Sequence, residues 1–525
     1  MDGTLSWPLE HAATVYAERT ASIDGERRVS YREIARRTGA LGAALTALDC
    51  PPGSRIGVLA ENSPAHLECW LTVPAHGRVL NDLNTRLAVP ELAYMVEDCE
   101  TIALFTDTSQ LEVARELRER CDCLRHLIHM GPGPAPEDCL SQAALACGRP
   151  AAPAALDGAE LAVISYTGGT TGRPKGVMLS HASVIANAKH NAWYAGFGPQ
   201  DVYLHAAPMF HIADASTIFA VTWAGGAHAF VPRFDPLGVS AAIEAHGVTI
   251  LVLVPTMIQR WLAALREHPI DLGTVRLLIY AGSPIAPETQ RQALELLPFE
   301  LLQGYGMTEA SPSLTYLTDD DHRRGAAGEE PARRRLASVG PPLHGVQISV
   351  RDGAGEPVEP GTIGEVFARG PNIMLGYWNA PEATAAALRD GWYRTGDAGY
   401  VDEGGYLFLV DRIKDMIVTG GENVYSVEVE HALMSHPEIV EATVFGIPDA
   451  DWGEAVHAVV VAHATSGLSE RDVVDHCRAL IAGFKLPRSV EIRATALPKS
   501  GAGKILKHEL RAPHWAGHDG RVSGS

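Results

Sequence analysis

The sequence predicts an α/β protein. A large N-terminal domain of layered sheets and helices over residues 1–410 ends in a small β-barrel-like unit, and a small α+β domain follows over 411–525. Three observations predict this. Short apolar runs alternate with helical patterns up to about residue 337, which argues for largely parallel sheets covered on both faces. Short strand-like pieces separated by Gly and Pro then fill 345–410, and from about 412 the chain reads as a compact α+β module. A length of 525 residues suits several domains rather than one.

The elements follow in chain order. Ser30 and Glu33 form a capping box, and Ile34, Leu41, Leu45 and Leu48 keep one helical face apolar behind it. Residues 55–60 and 101–107 read as strands, 109–120 as a helix and 124–130 as the next strand. Residues 131–158, rich in Pro, Gly and Ala, read as a surface connection. A strand over 161–166, a Gly-rich loop and a helix from about Ser180 come next. The rhythm then repeats as strand 249–254, helix 256–267, strand 275–280, helix 287–297 and strand 300–303. In the last module a helix capped by Ser469 with Asp472 carries the stripe Val473, Val474, Cys477, Leu480 and Ile481. The polar, Gly-rich tail beyond about 512 is expected to fray.

Composition narrows the function. A formal net charge of −20 argues against a general nucleic-acid binder, which needs a basic face to displace phosphate counterions. It does not exclude a nucleotide, because a local loop and a cation can supply positive field. With 46% apolar residues the chain can build cores. Of eight cysteines, only Cys121 and Cys123 are close, and no second pair stands at zinc spacing, so buried free thiols in a reducing compartment are expected. The start, MDGTLSWPLE, has no basic segment leading into an apolar one, and no run is long enough to span a membrane. These features suit a cytoplasmic protein.

The most informative stretch is Tyr166-Thr-Gly-Gly-Thr-Thr-Gly-Arg-Pro-Lys-Gly176, which follows a buried strand and precedes a helical pattern. Gly168, Gly169 and Gly172 allow close backbone approach, Thr167, Thr170 and Thr171 bring hydroxyl donors, and Lys175 is a point charge for phosphate. Arg173 and Pro174 separate Gly172 from Lys175, so this is not the G-x-x-x-x-G-K-[ST] loop. Four further runs stand out: Pro208-Met-Phe-His-Ile212, Gln303-Gly-Tyr-Gly-Met-Thr-Glu309 at a strand end, Tyr393-Arg-Thr-Gly-Asp397, and Pro498-Lys-Ser-Gly-Ala-Gly-Lys504. Ligands of parallel sheets bind at the carboxyl ends of strands, which favours the second.

Together these runs resemble the adenylate-forming superfamily, in its acyl-CoA synthetase branch, over residues 10–511. The resemblance implies an enzyme that joins a carboxylic acid to ATP as acyl-AMP, with Mg²⁺, and passes the acyl group to CoA or to a carrier-protein phosphopantetheine. It implies that Gln303 and Tyr305 lie against the adenine, that the segment with Gly282 and Ser283 packs on its other side, and that Gly304, Gly306 and Met307 belong to the same cofactor site. It further implies that Thr308 meets the α-phosphate, Glu309 holds Mg²⁺, and His211 borders the acid pocket. Asp397 would take the ribose hydroxyls, and Arg412 the ribose and phosphate. Lys414 would be the hinge of a small mobile domain, Gly420 and Gly421 would line the pantetheine path, and Asn423 would stand near the adenylate. Lys504 would bridge carboxylate and α-phosphate.

Two departures are visible. Ala213-Asp214 stands where many relatives carry glycine, so the pocket wall is expected to differ, and Ser426 replaces a common proline. Lys175, Glu309, Asp397, Arg412 and Lys504 are all present, which weighs against a non-catalytic nucleotide-binding protein. The candidate pocket segments 211–214, 254–259 and 281–306 hold mostly apolar or small residues and no evident counter-charge for a second carboxylate or an α-amine. A monocarboxylic acid with an apolar tail is therefore expected, aliphatic and of medium or long chain in preference to aromatic. A homodimer is compatible with the sequence.

Overall fold

The computed structural model describes residues 3–131, 133–167, 173–283, 285–420, 422–463, 466–499 and 505–516. The chain forms two compact units, one of residues 1–347 with 369–393 and one of 348–368 with 394–525.

The first unit holds two eight-stranded sheets. One runs in the order Ser313–Leu317, Glu300–Gly306, Leu277–Tyr280, Ile250–Leu253, Val202–His205, Ala227–Phe230, Thr20–Asp24, Arg27–Ser30. Its interior pairs are parallel and its two outermost pairs antiparallel. The other runs Gly376–Tyr377, Lys175–Ser180, Leu161–Thr167, Val79–Asp82, Arg55–Leu59, Thr101–Thr106, His126–His129, Leu140–Ser141. The expected alternation of strand and helix is what builds both. Helix Pro64–Thr72 is buried at every residue from His66 to Thr72, and helix Ile212–Ala224 at every residue from Ile212 to Thr222 except Ala213. Their buried acids are paired, Glu68 with Arg37 and Asp214 with Tyr203, and Trp70 meets Phe219 edge-on at 6.3 Å within the shared core.

The second unit carries a small antiparallel group in which Trp392–Val401 pairs with Leu407–Arg412. It also carries a five-stranded sheet in which Gly453–Ala462 lies against Ile439–Asp449 and, in parallel, Ser489–Arg493. Helices Ser426–Met434, Glu470–Arg478 and Lys507–Trp515 belong to this unit, and Val429, Leu433, Val473 and Cys477 fill its core.

Several expectations need correction. The segment 131–158 is not all connection, because Leu140–Ser141 adds an edge strand and Gln142–Leu145 a helical turn. The capped helix ends at Arg478, so Leu480 leaves the stripe and is 55% exposed. The last helix runs past 512 to Trp515, whose indole donates to the Gly446 carbonyl at 3.0 Å. All eight thiols are free, but only five are buried: Cys123 and Cys139 are half-buried and Cys147 is exposed. Among the described residues no helix is long and apolar enough to cross a membrane.

Candidate active site

The Gly/Thr segment connects two antiparallel strands, not a strand and a helix. Leu161–Thr167 pairs with Lys175–Ser180 up to the Thr167–Lys175 pair, where the Thr167 hydroxyl lies 3.5 Å from the Lys175 carbonyl. The following helix starts only at His181, capped by Ser180 through a 3.1 Å bond from the Ser183 amide. Its N-terminal dipole is therefore separated from the end of the preceding strand at Thr167 by the whole strand Lys175–Ser180. Gly168, Gly169, Thr170, Thr171 and Gly172 lie outside the described residues. The Lys175 ammonium lies 5.1 Å from the centre of the Tyr377 ring, and Arg173 covers the Tyr94 ring at 5.3 Å.

The strands Leu277–Tyr280 and Glu300–Gly306 are parallel neighbours, with Tyr280 opposite Gln303, so the chain leaves both at the same carboxyl edge. Gly282 and Ser283 follow the first strand, exposed and half-buried respectively. On the second, Gln303 is buried, and its amide oxygen accepts from the Tyr280 hydroxyl at 3.1 Å. That hydroxyl also accepts from Gln290 at 3.2 Å and lies 2.7 Å from His322 Nε2. Burial pushes the Tyr280 phenol up and the His322 imidazole down, so both are neutral near pH 7. Tyr305 is buried, and the Tyr316 ring packs 2.9 Å from where a Cβ on Gly304 would stand. Gly306 admits no side chain at all, since a Cβ there would lie 1.8 Å from the Pro312 carbonyl oxygen.

Met307 leads into a single 3-10 turn, Thr308–Ala310, that presents Thr308 and Glu309 half-buried. The Glu309 carboxylate accepts from the Tyr377 hydroxyl at 2.9 Å, and its carbonyl accepts from the Met374 amide at 2.9 Å. Among the described residues no three His, Cys, Asp or Glu side chains form a metal cage. A lone carboxylate fits Mg²⁺, which keeps waters and is commonly held by one or two carboxylates plus substrate phosphates.

His211 stands half-buried at the start of helix Ile212–Ala224. Buried Asn62, on another segment, fixes the run before it. Its amide nitrogen donates to His205, Ala207 and Val231 carbonyls at 3.1, 2.9 and 3.1 Å, and its oxygen accepts from the Met209 amide at 2.8 Å. Asp214 turns inward, accepting from the Tyr203 hydroxyl at 2.9 Å and lying 2.5 Å from His205 Nδ1. Its carboxylate is spent in the core, and Ala213 is the half-buried member of the pair.

The remaining predicted residues belong to the second unit. Asp397 and Arg412 face each other across antiparallel strands and form an ion pair of 2.7 Å. The Asp397 amide donates to the Thr395 hydroxyl at 3.1 Å, and that hydroxyl donates to the Val366 carbonyl at 2.8 Å. Lys414 sits in the turn Ile413–Asp415; burial pushes its amine down, and Asp415 partly restores it. Gly420 has φ +59° and donates its N–H to the Trp452 carbonyl at 2.9 Å, and a Cβ would lie 2.4 Å from the Trp452 ring. A glycine is needed there for Trp452 as well as for backbone conformation. Asn423 is exposed on the Glu422–Val424 strand. Gly421 and Lys504 lie outside the described residues, but the base of the Lys504 loop is closed by a bridge between Lys499 and Ile505.

Sequence reasoning missed three groups. Tyr377 and Asn62 are single polar residues in unremarkable runs. The third is Lys507, which pairs with Glu430 at 2.8 Å and donates to Ser426 at 2.6 Å. Its neighbour along the helix, Arg511, reaches Asp415 at 3.3 Å, so the last helix braces the 411–426 segment.

Comparison with known proteins fits this geometry. Residues 9–378 match the model of the AMP-binding enzyme family, and 428–504 that of the AMP-binding enzyme C-terminal domain. A feruloyl-CoA synthase from an Amycolatopsis species is 36% identical, the match covering 97% of this chain and 98% of the relative. The fatty acid–[acyl-carrier-protein] ligase ScoC of Streptomyces coeruleorubidus is 33% identical over 98% of this chain and 96% of its own. The crystal structure of ATP-bound MatB from Rhodopseudomonas palustris superposes with a TM-score of 0.86 at 31% identity, covering 98% of this chain and 99% of that one.

Proposed function

The chain belongs to the AMP-binding enzyme family as an AMP-forming acid–thiol ligase of the acyl-CoA synthetase branch, and on that premise we propose its acid, its acceptor and the work of its residues. The acid is a monocarboxylic acid with an apolar tail and the acceptor is CoA. The observation that carries the activity is the convergence of Lys175 and Glu309 on Tyr377, the first over its ring and the second at its hydroxyl. A cation and a carboxylate held together in this way suit a triphosphate and the Mg²⁺ that accompanies it.

In the first half-reaction a carboxylate oxygen attacks the α-phosphorus of ATP. The new C–O–P linkage forms as the bond to the β,γ-diphosphate breaks, giving acyl-AMP and pyrophosphate. No side chain forms a covalent bond, so positioning and charge neutralisation carry the catalysis. Lys175 offsets phosphate charge, Thr308 donates to the α-phosphate, and Lys504 joins the two anions as they approach. Mg²⁺, when bound at Glu309, neutralises charge on the triphosphate. Asp397, oriented by Arg412 and Thr395, accepts from the ribose hydroxyls. In the second half-reaction the CoA thiolate attacks the acyl carbon, AMP leaves with the C–O bonding pair, and a thioester results. The 411–525 segment turns about Lys414 between the two steps, bringing Gly420 and Gly421 to the pantetheine arm.

For the acid, the aliphatic preference expected from the sequence gives way to an aromatic tail as the first reading, with a medium or long aliphatic chain as the second. The support is the feruloyl-CoA synthase at 36% identity, whose match covers 97% of this chain. ScoC, named for fatty acids and a carrier protein, keeps the second acid and the other acceptor in view. The test is product analysis with ATP, Mg²⁺ and a panel of aryl and fatty acids, offering CoA and holo carrier protein separately. Cinnamate-type acids with CoA are expected to give the highest kcat/KM for thioester and AMP. Preference for a long-chain acid would overturn the aromatic reading, and preference for the carrier would overturn CoA.

A further inference from the structure

We propose that Tyr377 is a positioning residue that holds the Glu309 carboxylate and the Lys175 ammonium as one array for the magnesium-bound triphosphate. The proposal deepens, and rests on, the roles given above to Glu309 and Lys175.

The short segment 372–378 is sewn into place on two sides. Against the strand that carries Lys175, Tyr377 stands opposite Val177, the Leu375 amide donates to the Met178 carbonyl at 2.8 Å, and the Trp378 amide donates to the Gly176 carbonyl at 2.7 Å. Against the turn that carries Glu309, the Met374 amide donates to the Glu309 carbonyl at 2.9 Å, and Asn372 donates to the Ala310 and Ser313 carbonyls at 2.9 and 2.6 Å. Lys175 opens a strand of one sheet and Glu309 stands in the 3-10 turn that follows a strand of the other, 134 positions apart (309 − 175). Tyr377 touches both functional groups. Its hydroxyl donates to Glu309 Oε1 at 2.9 Å, and its ring lies 5.1 Å from Lys175 Nζ.

Each contact has its own consequence. A hydrogen bond into one carboxylate oxygen fixes the rotation of the group, so a cation meets one orientation rather than an average over several. The face of the phenol ring attracts the ammonium and lowers the freedom of a long, flexible side chain. The two effects can be separated, because Phe keeps the ring and discards the hydroxyl whereas Leu discards both. Tyr377 is itself half-buried, and Phe is close to isosteric there.

The experiment is acid-dependent exchange of labelled pyrophosphate into ATP. Free Mg²⁺ is titrated at fixed MgATP, and MgATP at saturating Mg²⁺, for wild type, Tyr377→Phe, Tyr377→Leu, Glu309→Gln and Lys175→Ala. For Tyr377→Phe the Mg²⁺ half-saturation is expected to rise about tenfold, as for loss of one charge-assisted hydrogen bond. The KM for ATP should change by less than about twofold, because the ring remains. Tyr377→Leu should show the same Mg²⁺ shift together with a several-fold rise in KM for ATP, in the direction of Lys175→Ala. If Glu309→Gln shifts the Mg²⁺ curve while that of Tyr377→Phe superposes on wild type, the inference is overturned and the reading of Glu309 stands. If Glu309→Gln leaves the curve unmoved, the metal role of Glu309 falls and the inference with it. Equal ATP KM values for Phe and Leu would remove the Lys175 half.

Discussion

Gly306→Ala places the largest calculable strain on the site. The added Cβ would stand 1.8 Å from the Pro312 carbonyl oxygen. A carbon and a carbonyl oxygen rarely approach closer than about 3.3 Å, so the two segments must part by roughly 1.5 Å. The Met307 amide bond to that same oxygen, now 2.8 Å, cannot survive such a movement. Overpacking costs about 1–3 kcal/mol and a stranded buried amide a similar amount, so a loss of about 3 kcal/mol is expected after partial relaxation. Because Thr308 and Glu309 follow directly, displacement passes to the groups assigned to the α-phosphate and Mg²⁺. A misplacement of about 1 Å there costs on the order of a hundredfold in rate. The assay pairs thermal melting with pyrophosphate exchange. The control is Gly353→Ala, whose Cβ meets nothing within 4 Å. A Gly306→Ala protein that melts with wild type and keeps its exchange rate would refute the close-approach argument.

Three further outcomes are expected. Lys504→Ala should abolish acyl-AMP formation yet still convert supplied acyl-AMP and CoA to thioester; equal loss of both steps would exclude its assigned place. Asp397→Ala removes the partner of Arg412 at 2.7 Å as well as the ribose acceptor. KM for ATP should rise about tenfold or more while KM for the acid holds, and parallel rises in both would contradict a ribose-specific role. His181, whose Nδ1 accepts from the Leu5 amide at 3.2 Å, is pushed down by burial to about 4 from 6.5. Below pH 6.5 the unfolded chain binds a proton that the folded one refuses, so this part of the stability is intact above 6.5 and is lost as pH falls towards 4. It amounts to at most about 3 kcal/mol. Denaturant melts of His181→Gln at pH 7 and 4.5 should show a smaller acid loss than wild type, and an identical loss would contradict the burial argument.

Much of the first unit could be read from local pattern, because parallel strands and their covering helices repeat with fixed polarity. The strand ends that carry Ser283 and Gln303–Glu309 were legible for that reason. What was not legible is tertiary. Residues 175–180 read as the end of a loop because Lys175 and Gly176 open them, whereas pairing with Leu161–Thr167 makes them a strand. Leu480 fits a helical stripe by spacing, but the helix has already ended. Gly420 was legible as an obligatory glycine, but not that the Trp452 ring fills its Cβ position. Tyr377 reaches Glu309 across 68 residues, which no periodicity can disclose.

The most direct test of the account is the exchange of labelled pyrophosphate into ATP by the purified chain with Mg²⁺ and an aryl or fatty acid, in the absence of any thiol. The account predicts exchange that requires the acid and, once CoA is added, gives way to one AMP per thioester. No exchange with any acid, or ADP in place of AMP, would contradict cleavage between the α- and β-phosphorus atoms.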